Sequence, residues 1–215
     1  IQEALKEVVD HGILGYSQAP EAYFKAVARW MKDRFAWEIN PDHVFIHRGA
    51  HTAIKACIEK VTAPGDGIIV FQPTYYYRMD VSCTGRHYVG CRMINDNGYY
   101  TIDWKAFEEC CKEPTNTMVI IQQPHNPTGR IWTVEELQKI NEICKKYNVL
   151  ILSDEVHMDI KRKGNVVEPA MKIMGKEGLI TVTGINKTFN LAGLAVTNTI
   201  IEDEAILAKM GPRTT

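Results

Sequence analysis

Short apolar runs, each too brief for a helix, recur along this chain with helix-patterned segments between them. The runs are Val44-Phe45-Ile46, Ile68-Ile69-Val70-Phe71, Met118-Val119-Ile120-Ile121, Val149-Leu150-Ile151-Leu152 and Leu179-Ile180-Thr181-Val182. Strands that are apolar without alternation suit a sheet covered on both faces. Pro20 suits the first turn of a helix on which Phe24, Val27, Ala28 and Met31 recur at helical spacing, with Glu21 at its positive end. Further helices are expected from Ala50 to Val61, after a turn at Gly49, and from Val134 to Tyr147. Asn95-Asp96-Asn97-Gly98 marks a turn, after which Tyr99 and Tyr100 lead into a shorter helix over residues 103–111. The fold class is α/β: a mostly parallel sheet sandwiched by helices, with no linker dividing it into two complete domains.

The chain has 215 residues, of which 45% are hydrophobic, enough for a full core. Its 25 basic and 26 acidic side chains nearly cancel, and no basic stripe could track phosphates, so a nucleic-acid partner is not expected. The opening IQEALKEVVD is charged and lacks a signal-peptide core, and no apolar run spans a bilayer. Six cysteines without a C-x-x-C pair read as reduced thiols of a cytoplasmic protein; the adjacent Cys110 and Cys111 are assigned ordinary places on a helix.

Three polar residues follow separate strand candidates: Asn126 in Gln122-Gln123-Pro124-His125-Asn126-Pro127-Thr128-Gly129-Arg130, Asp154 in Ser153-Asp154-Glu155, and Lys187 in Asn186-Lys187-Thr188-Phe189-Asn190. In open α/β sheets the crevice beyond the strands' carboxyl ends is where ligands bind. Singly, each has a plain structural explanation as a solvated lysine, a helix-capping aspartate or an Asn-Pro turn. Together they supply what pyridoxal 5'-phosphate (PLP) needs: an amine for a Schiff base, a carboxylate for the pyridine nitrogen and an amide for the phenolic oxygen. His43, His47 and His51 lie at four-residue spacing, but strand character and Gly49 interrupt any shared helical face, and no metal site is expected there or at Asp154, His157 and Asp159.

The strings His125-Asn126-Pro127-Thr128-Gly129-Arg130, Ser153-Asp154-Glu155-Val156-His157 and Lys187-Thr188-Phe189-Asn190-Leu191-Ala192-Gly193-Leu194 resemble, in order and separation, the class I/II aminotransferases, which are fold-type I PLP enzymes. The Asp-Glu-x-His and Lys-Thr-Phe-Asn-x-Ala-Gly forms resemble most the carbon-sulfur lyase branch of cystathionine β-lyases and cystalysin-like enzymes. The resemblance implies that Lys187 bonds PLP, Asp154 pairs with the pyridinium nitrogen, Asn126 bonds the phenolic oxygen and His157 lies beside that oxygen. It places Tyr75 over the cofactor ring, whereas Tyr76 and Tyr77 fit a packed aromatic cluster equally well. Backbone N–H groups near Ala50 and His51 resemble the family's phosphate cup. Gly15-Tyr16-Ser17 resembles a segment that crosses a homodimer interface, so Tyr16 is either a partner-site residue or an ordinary tyrosine.

The resemblance further implies that residues 1–215 form the large PLP-binding domain of a longer enzyme, without its N-terminal arm or C-terminal small domain. The arginine that binds the substrate carboxylate belongs to that small domain, and Arg213 is not assigned to the role. Thr183-Gly184-Ile185-Asn186 stands where the family places a serine before the lysine, and Leu194-Ala195 where many aminotransferases have a phosphate-binding arginine. The implied activity is β-elimination that frees pyruvate, ammonia and a thiol from cystathionine or cysteine-like amino acids. An aminotransferase and a truncated, noncatalytic PLP-binding remnant are the alternatives.

Overall fold

The computed structural model describes residues 1–212; Arg213 lies outside the described residues. In chain order the elements are α1 (Gln2–His11), α2 (Glu21–Phe35), β1 (Val44–Arg48), α3 (Ala50–Val61), β2 (Gly67–Gln72), α4 (Tyr77–Ser82), β3 (His87–Arg92), β4 (Ile94–Asp96) and β5 (Tyr99–Thr101). They continue with α5 (Trp104–Lys112), β6 (Asn116–Gln122), α6 (Val134–Tyr147), β7 (Leu150–Asp154), α7 (Ala170–Met174), β8 (Leu179–Gly184), α8 (Ile185–Thr188), β9 (Val196–Ile200) and α9 (Glu204–Met210).

A seven-stranded sheet has the order β1-β9-β8-β7-β6-β2-β3. The strands from β3 across to β8 are mutually parallel, and β9 is antiparallel to both β8 and β1. Reversal at β9 is cancelled by reversal at β1, so β1 points the same way as β8. The carboxyl ends of β1, β2, β6, β7 and β8 therefore share one edge, and β9 begins there. This topology gathers the segments after residues 48, 72, 122, 154 and 184 into one place.

Side chains alternate across each strand and feed two apolar layers. Ile69 and Phe71 face α2, α5, α6 and α7 through Phe24, Phe107, Leu137 and Met171. Ile68 and Val70 face α3, α4 and α9 through Ile54, Ile58, Val81 and Ile206. The result is the helix-sheet-helix sandwich expected from the unbroken apolar strands. Helix α6 starts with a capping box, Thr133 accepting from the Glu136 N–H while Glu136 accepts from the Thr133 N–H.

Several elements differ from the sequence reading. Tyr99 and Tyr100 do not lead directly into a helix but form β5, which pairs with β4 across Asn97-Gly98, both left-handed with φ 47° and 92°. Strands β3 and β9 were not anticipated at all. Helix α1 is amphipathic yet buries none of its residues, leaving Leu5, Val8 and Val9 exposed. No helix among the described residues is long and apolar enough to cross a membrane.

Candidate active site

A cavity of about 210 Å³ opens at the shared strand edge, lined by Gly49, Ala50, His51, Tyr75, Gln122, Asn126, Asp154, His157, Asn186 and Lys187 among others. It unites every residue singled out from the sequence except Tyr16, which is fully exposed in the segment after α1. A shallower cavity of about 620 Å³ adjoins it, sharing Asn126 and His157 and reaching Lys161 and Arg162.

Asp154 ends β7 and is 4% exposed. Its Oδ2 accepts from the Tyr77 hydroxyl at 2.5 Å and its Oδ1 from the Val156 N–H at 3.3 Å. Burial raises its carboxyl above the ordinary aspartate value; the Tyr77 and Val156 hydrogen bonds, followed by nearby His157 and His51, act against that rise. His157, half-buried on the turn after β7, is pushed below the ordinary histidine value by burial, with Asp154 opposing and Lys187 adding to the shift. Lys187 lies on the single-turn α8 directly after β8. Gly184, the last residue of β8, packs so closely on β9 that an added Cβ would stand 3.2 Å from the Val196 carbonyl oxygen. Asn186 fixes the start of α8 by donating to Thr197 Oγ1 at 3.2 Å.

Asn126 is held by its neighbours. The His125 N–H donates to the Arg130 carbonyl and the Gly129 N–H to the His125 carbonyl, both at 2.7 Å, closing the loop that carries it. His125 is buried, pairs with Thr128 Oγ1 at 2.8 Å, and is pushed down to about 4, chiefly by burial, so it is a neutral structural group. Arg130 grips both Glu136 carboxylate oxygens at 2.6 and 2.7 Å, tying the loop to the capping box of α6.

Helix α3 begins after Gly49, whose φ of 90° suits glycine. The first helical hydrogen bond there is Ala53 N–H to the Gly49 carbonyl, so the N–H groups of Ala50 and His51 precede the ladder at the helix's positive end. The His51 imidazole turns away to Asp80, its Nδ1 lying 2.6 Å from Oδ2, and stacks on Tyr75 with ring centroids 5.5 Å apart. Tyr76 is exposed and does not line the cavity. Gln122 lines it unanticipated, its Oε1 buried without a hydrogen-bond partner, as is Asn186 Oδ1. The other histidines of the four-residue series serve different partners, His43 pairing with Glu202 and His47 with Thr199, each at 3.0 Å. Asp159 turns from the cavity to bond Trp30, Arg34 and Thr188.

Glu155, next to Asp154, points into the core, where its Oε1 accepts from Ser153 Oγ at 2.8 Å and the Ala170 N–H at 2.9 Å. Burial pushes it up to about 8 from the ordinary 4.5. A carboxyl raised on folding holds a proton that the unfolded chain has released, so its contribution to stability falls as pH rises from about 4.5 to 8. Glu155→Gln is therefore expected to flatten the decline of the thermal unfolding midpoint over that pH window; an unchanged slope would contradict the assignment of Glu155 as a buried neutral acid.

The amine, carboxylate and amide of the three sequence strings line one cavity together with the residues at the start of α3. The family described as aminotransferase class I and II matches residues 1–212. This chain belongs to that family. Among class I and II relatives it is 37% identical to cystathionine beta-lyase PatB of Bacillus subtilis, over 97% of this chain and 55% of the relative. It is 28% identical to an aspartate aminotransferase of Sulfurisphaera tokodaii, over 98% of this chain and 53% of the relative. The crystal structure of cystalysin from Treponema denticola, which contains a pyridoxal 5'-phosphate cofactor, superimposes with a TM-score of 0.91 at 35% identity, covering 97% of this chain and 54% of that one. The chain thus spans about half the length of the class I and II relatives it matches.

Proposed function

We propose that this chain forms the large, PLP-binding domain of a carbon-sulfur β-lyase that releases pyruvate, ammonia and a thiol from cystathionine or cysteine-like amino acids. The observation that carries the reading is the single cavity that Lys187, Asp154, Asn126 and Tyr75 line at one sheet edge. The donor set fits PLP: one amine, one buried carboxylate, one amide and a pair of backbone N–H groups at a helix start. Bound there, PLP supplies an electron sink for the substrate's Cα–H electrons.

The protein's own groups have separable tasks. Lys187 Nζ would hold the cofactor and would move the proton at the substrate Cα. Asp154 would offer its carboxylate to the ring nitrogen, and Asn126 and His157 would serve the phenolic oxygen. Tyr75 would cover the ring, and the Ala50 and His51 N–H groups would hold the phosphate. Tyr16 belongs to the neighbouring subunit's site in a homodimer; the exposed Ile13, Leu14 and Tyr16 beside the uncovered face of α1 support such a contact.

Greater identity to a cystathionine beta-lyase than to an aspartate aminotransferase supports elimination over amino transfer, 37% against 28%. Amino transfer is the second reading, favoured by that same aminotransferase relative. The full-length protein, loaded with PLP and given L-cystathionine, is expected to release pyruvate without a keto-acid co-substrate. Amino transfer that requires a keto acid, with no pyruvate formed by elimination, would sink the lyase reading.

A further inference from the structure

Tyr77 is, with Tyr76, an aromatic residue whose role the sequence left undecided. It opens α4 and is 1% exposed, packed in the apolar layer of Ile54, Ile58, Val81 and Val156. A phenol in such surroundings must find a partner for its hydroxyl. It finds Asp154, at 2.5 Å from Tyr77 Oη to Oδ2, at the shortest end of the O–H···O range. Tyr77 does not itself line the cavity; its hydroxyl meets the site through that carboxylate, while its ring meets Tyr75 edge-on with centroids 6.2 Å apart, a contact that phenylalanine would keep.

We propose that Tyr77 is a positioning residue that keeps Asp154 ionised and correctly oriented, so that a carboxylate rather than a neutral acid meets the cofactor's ring nitrogen. The inference rests on the PLP reading of the cavity. Two forms of the Asp154 and ring-nitrogen pair compete: carboxylate with protonated nitrogen, and neutral acid with neutral pyridine. They differ only in which atom holds one proton.

Burial of Asp154 favours the neutral pair, and a hydroxyl hydrogen bond to Oδ2 favours the charged one. The phenol is suited to remain a donor, because burial and the neighbouring Asp154 raise it well above the ordinary tyrosine value. The other charged or titratable groups around the pair are His51 on α3, Tyr75 just before α4, Asp80 on α4, His157 after β7 and Lys187 on α8. Asp80 is already engaged by His51. Tyr77 is thus the one side chain that donates a hydrogen bond to Asp154 among the described residues.

The test uses full-length protein loaded with PLP whose ring nitrogen is isotopically labelled, with the nitrogen chemical shift followed across pH. The parent is expected to show a protonated ring nitrogen. Tyr77→Phe, which keeps the ring and removes only the hydroxyl, is expected to move the shift toward neutral pyridine and to weaken PLP binding about tenfold. Asp154→Asn provides the neutral reference. A merely structural Tyr77 would lower the unfolding midpoint and leave the nitrogen shift where it was, which would overturn the inference.

Should Tyr77→Phe fail to fold, the loaded parent decides. The Tyr77 hydroxyl proton should resonate far downfield and exchange slowly; fast exchange with water would overturn the proposal. A parent that holds no PLP defeats the cofactor reading and this inference together. A parent that holds PLP beside an unaltered Tyr77→Phe spectrum defeats this inference alone.

Discussion

Lys187→Ala in the full-length protein is expected to lower pyruvate release by about four orders of magnitude or more, because it removes both the cofactor's covalent anchor and the base at the substrate Cα. Lys187 is the one lysine among the residues lining the cavity, and α8 places it beyond the end of β8 with Asn186 pinned to β9 beside it. Lys161→Ala is the matched control, since that lysine lines only the adjoining cavity. It should change turnover by no more than about tenfold. Steady-state rates for the two variants check this directly; equal losses would mean that general charge at the cavity mouth, rather than the amine of Lys187, supports the reaction.

Asp154→Asn is expected to reduce turnover by about two to three orders of magnitude while leaving the fold nearly intact. The amide keeps the shape of the side chain and can still accept from Tyr77, so the loss reports the missing charge. Asp154→Ala should cost further stability, about 1 to 3 kcal/mol, by leaving the buried Tyr77 hydroxyl without its acceptor. The sign of the pH dependence follows from burial, which raises Asp154. Without PLP the parent therefore loses its carboxylate on acidification at a pH above the ordinary aspartate value, giving an acidic limb in PLP affinity. Asp154→Asn should lack that limb. Its persistence in the variant would assign the titration to another group.

The fold was readable where apolar burial leaves a pattern. Helices α3 and α6 begin and end where the sequence placed them, and the five apolar runs all became strands. Strand β9 escaped because its core residues are polar: Thr197, Asn198 and Thr199 are all at most 2% exposed. They are sustained by hydrogen bonds to Asn186, Tyr23 and His47, partners that no local window reveals. Its antiparallel course also decides the site, since it lets β1 deliver Gly49 to the same edge as Lys187. Strand β3 offers only Cys91 as a buried residue, and β4 and β5 have three residues each, too short for alternation to declare itself.

The candidate site was more legible than the sheet that builds it. Asn126, Asp154 and Lys187 each follow an apolar run, and topology alone then brings them together. Tyr77 could not be separated from Tyr76 by sequence, because adjacent tyrosines carry no period. The start of α4 separates them, sending Tyr75 to the cavity wall, Tyr76 to the surface and Tyr77 into the core. Gln122 gave no signal beyond its place at the end of β6. Tyr16 lies far from burial in this chain, and its proposed role depends on a second subunit.

The most direct test of the account is borohydride reduction of the PLP-loaded full-length protein followed by proteolysis and mass mapping of the fixed adduct. The account predicts a single reduced pyridoxyl group, on Lys187. An adduct on Lys161, or on any lysine outside this cavity, would contradict it.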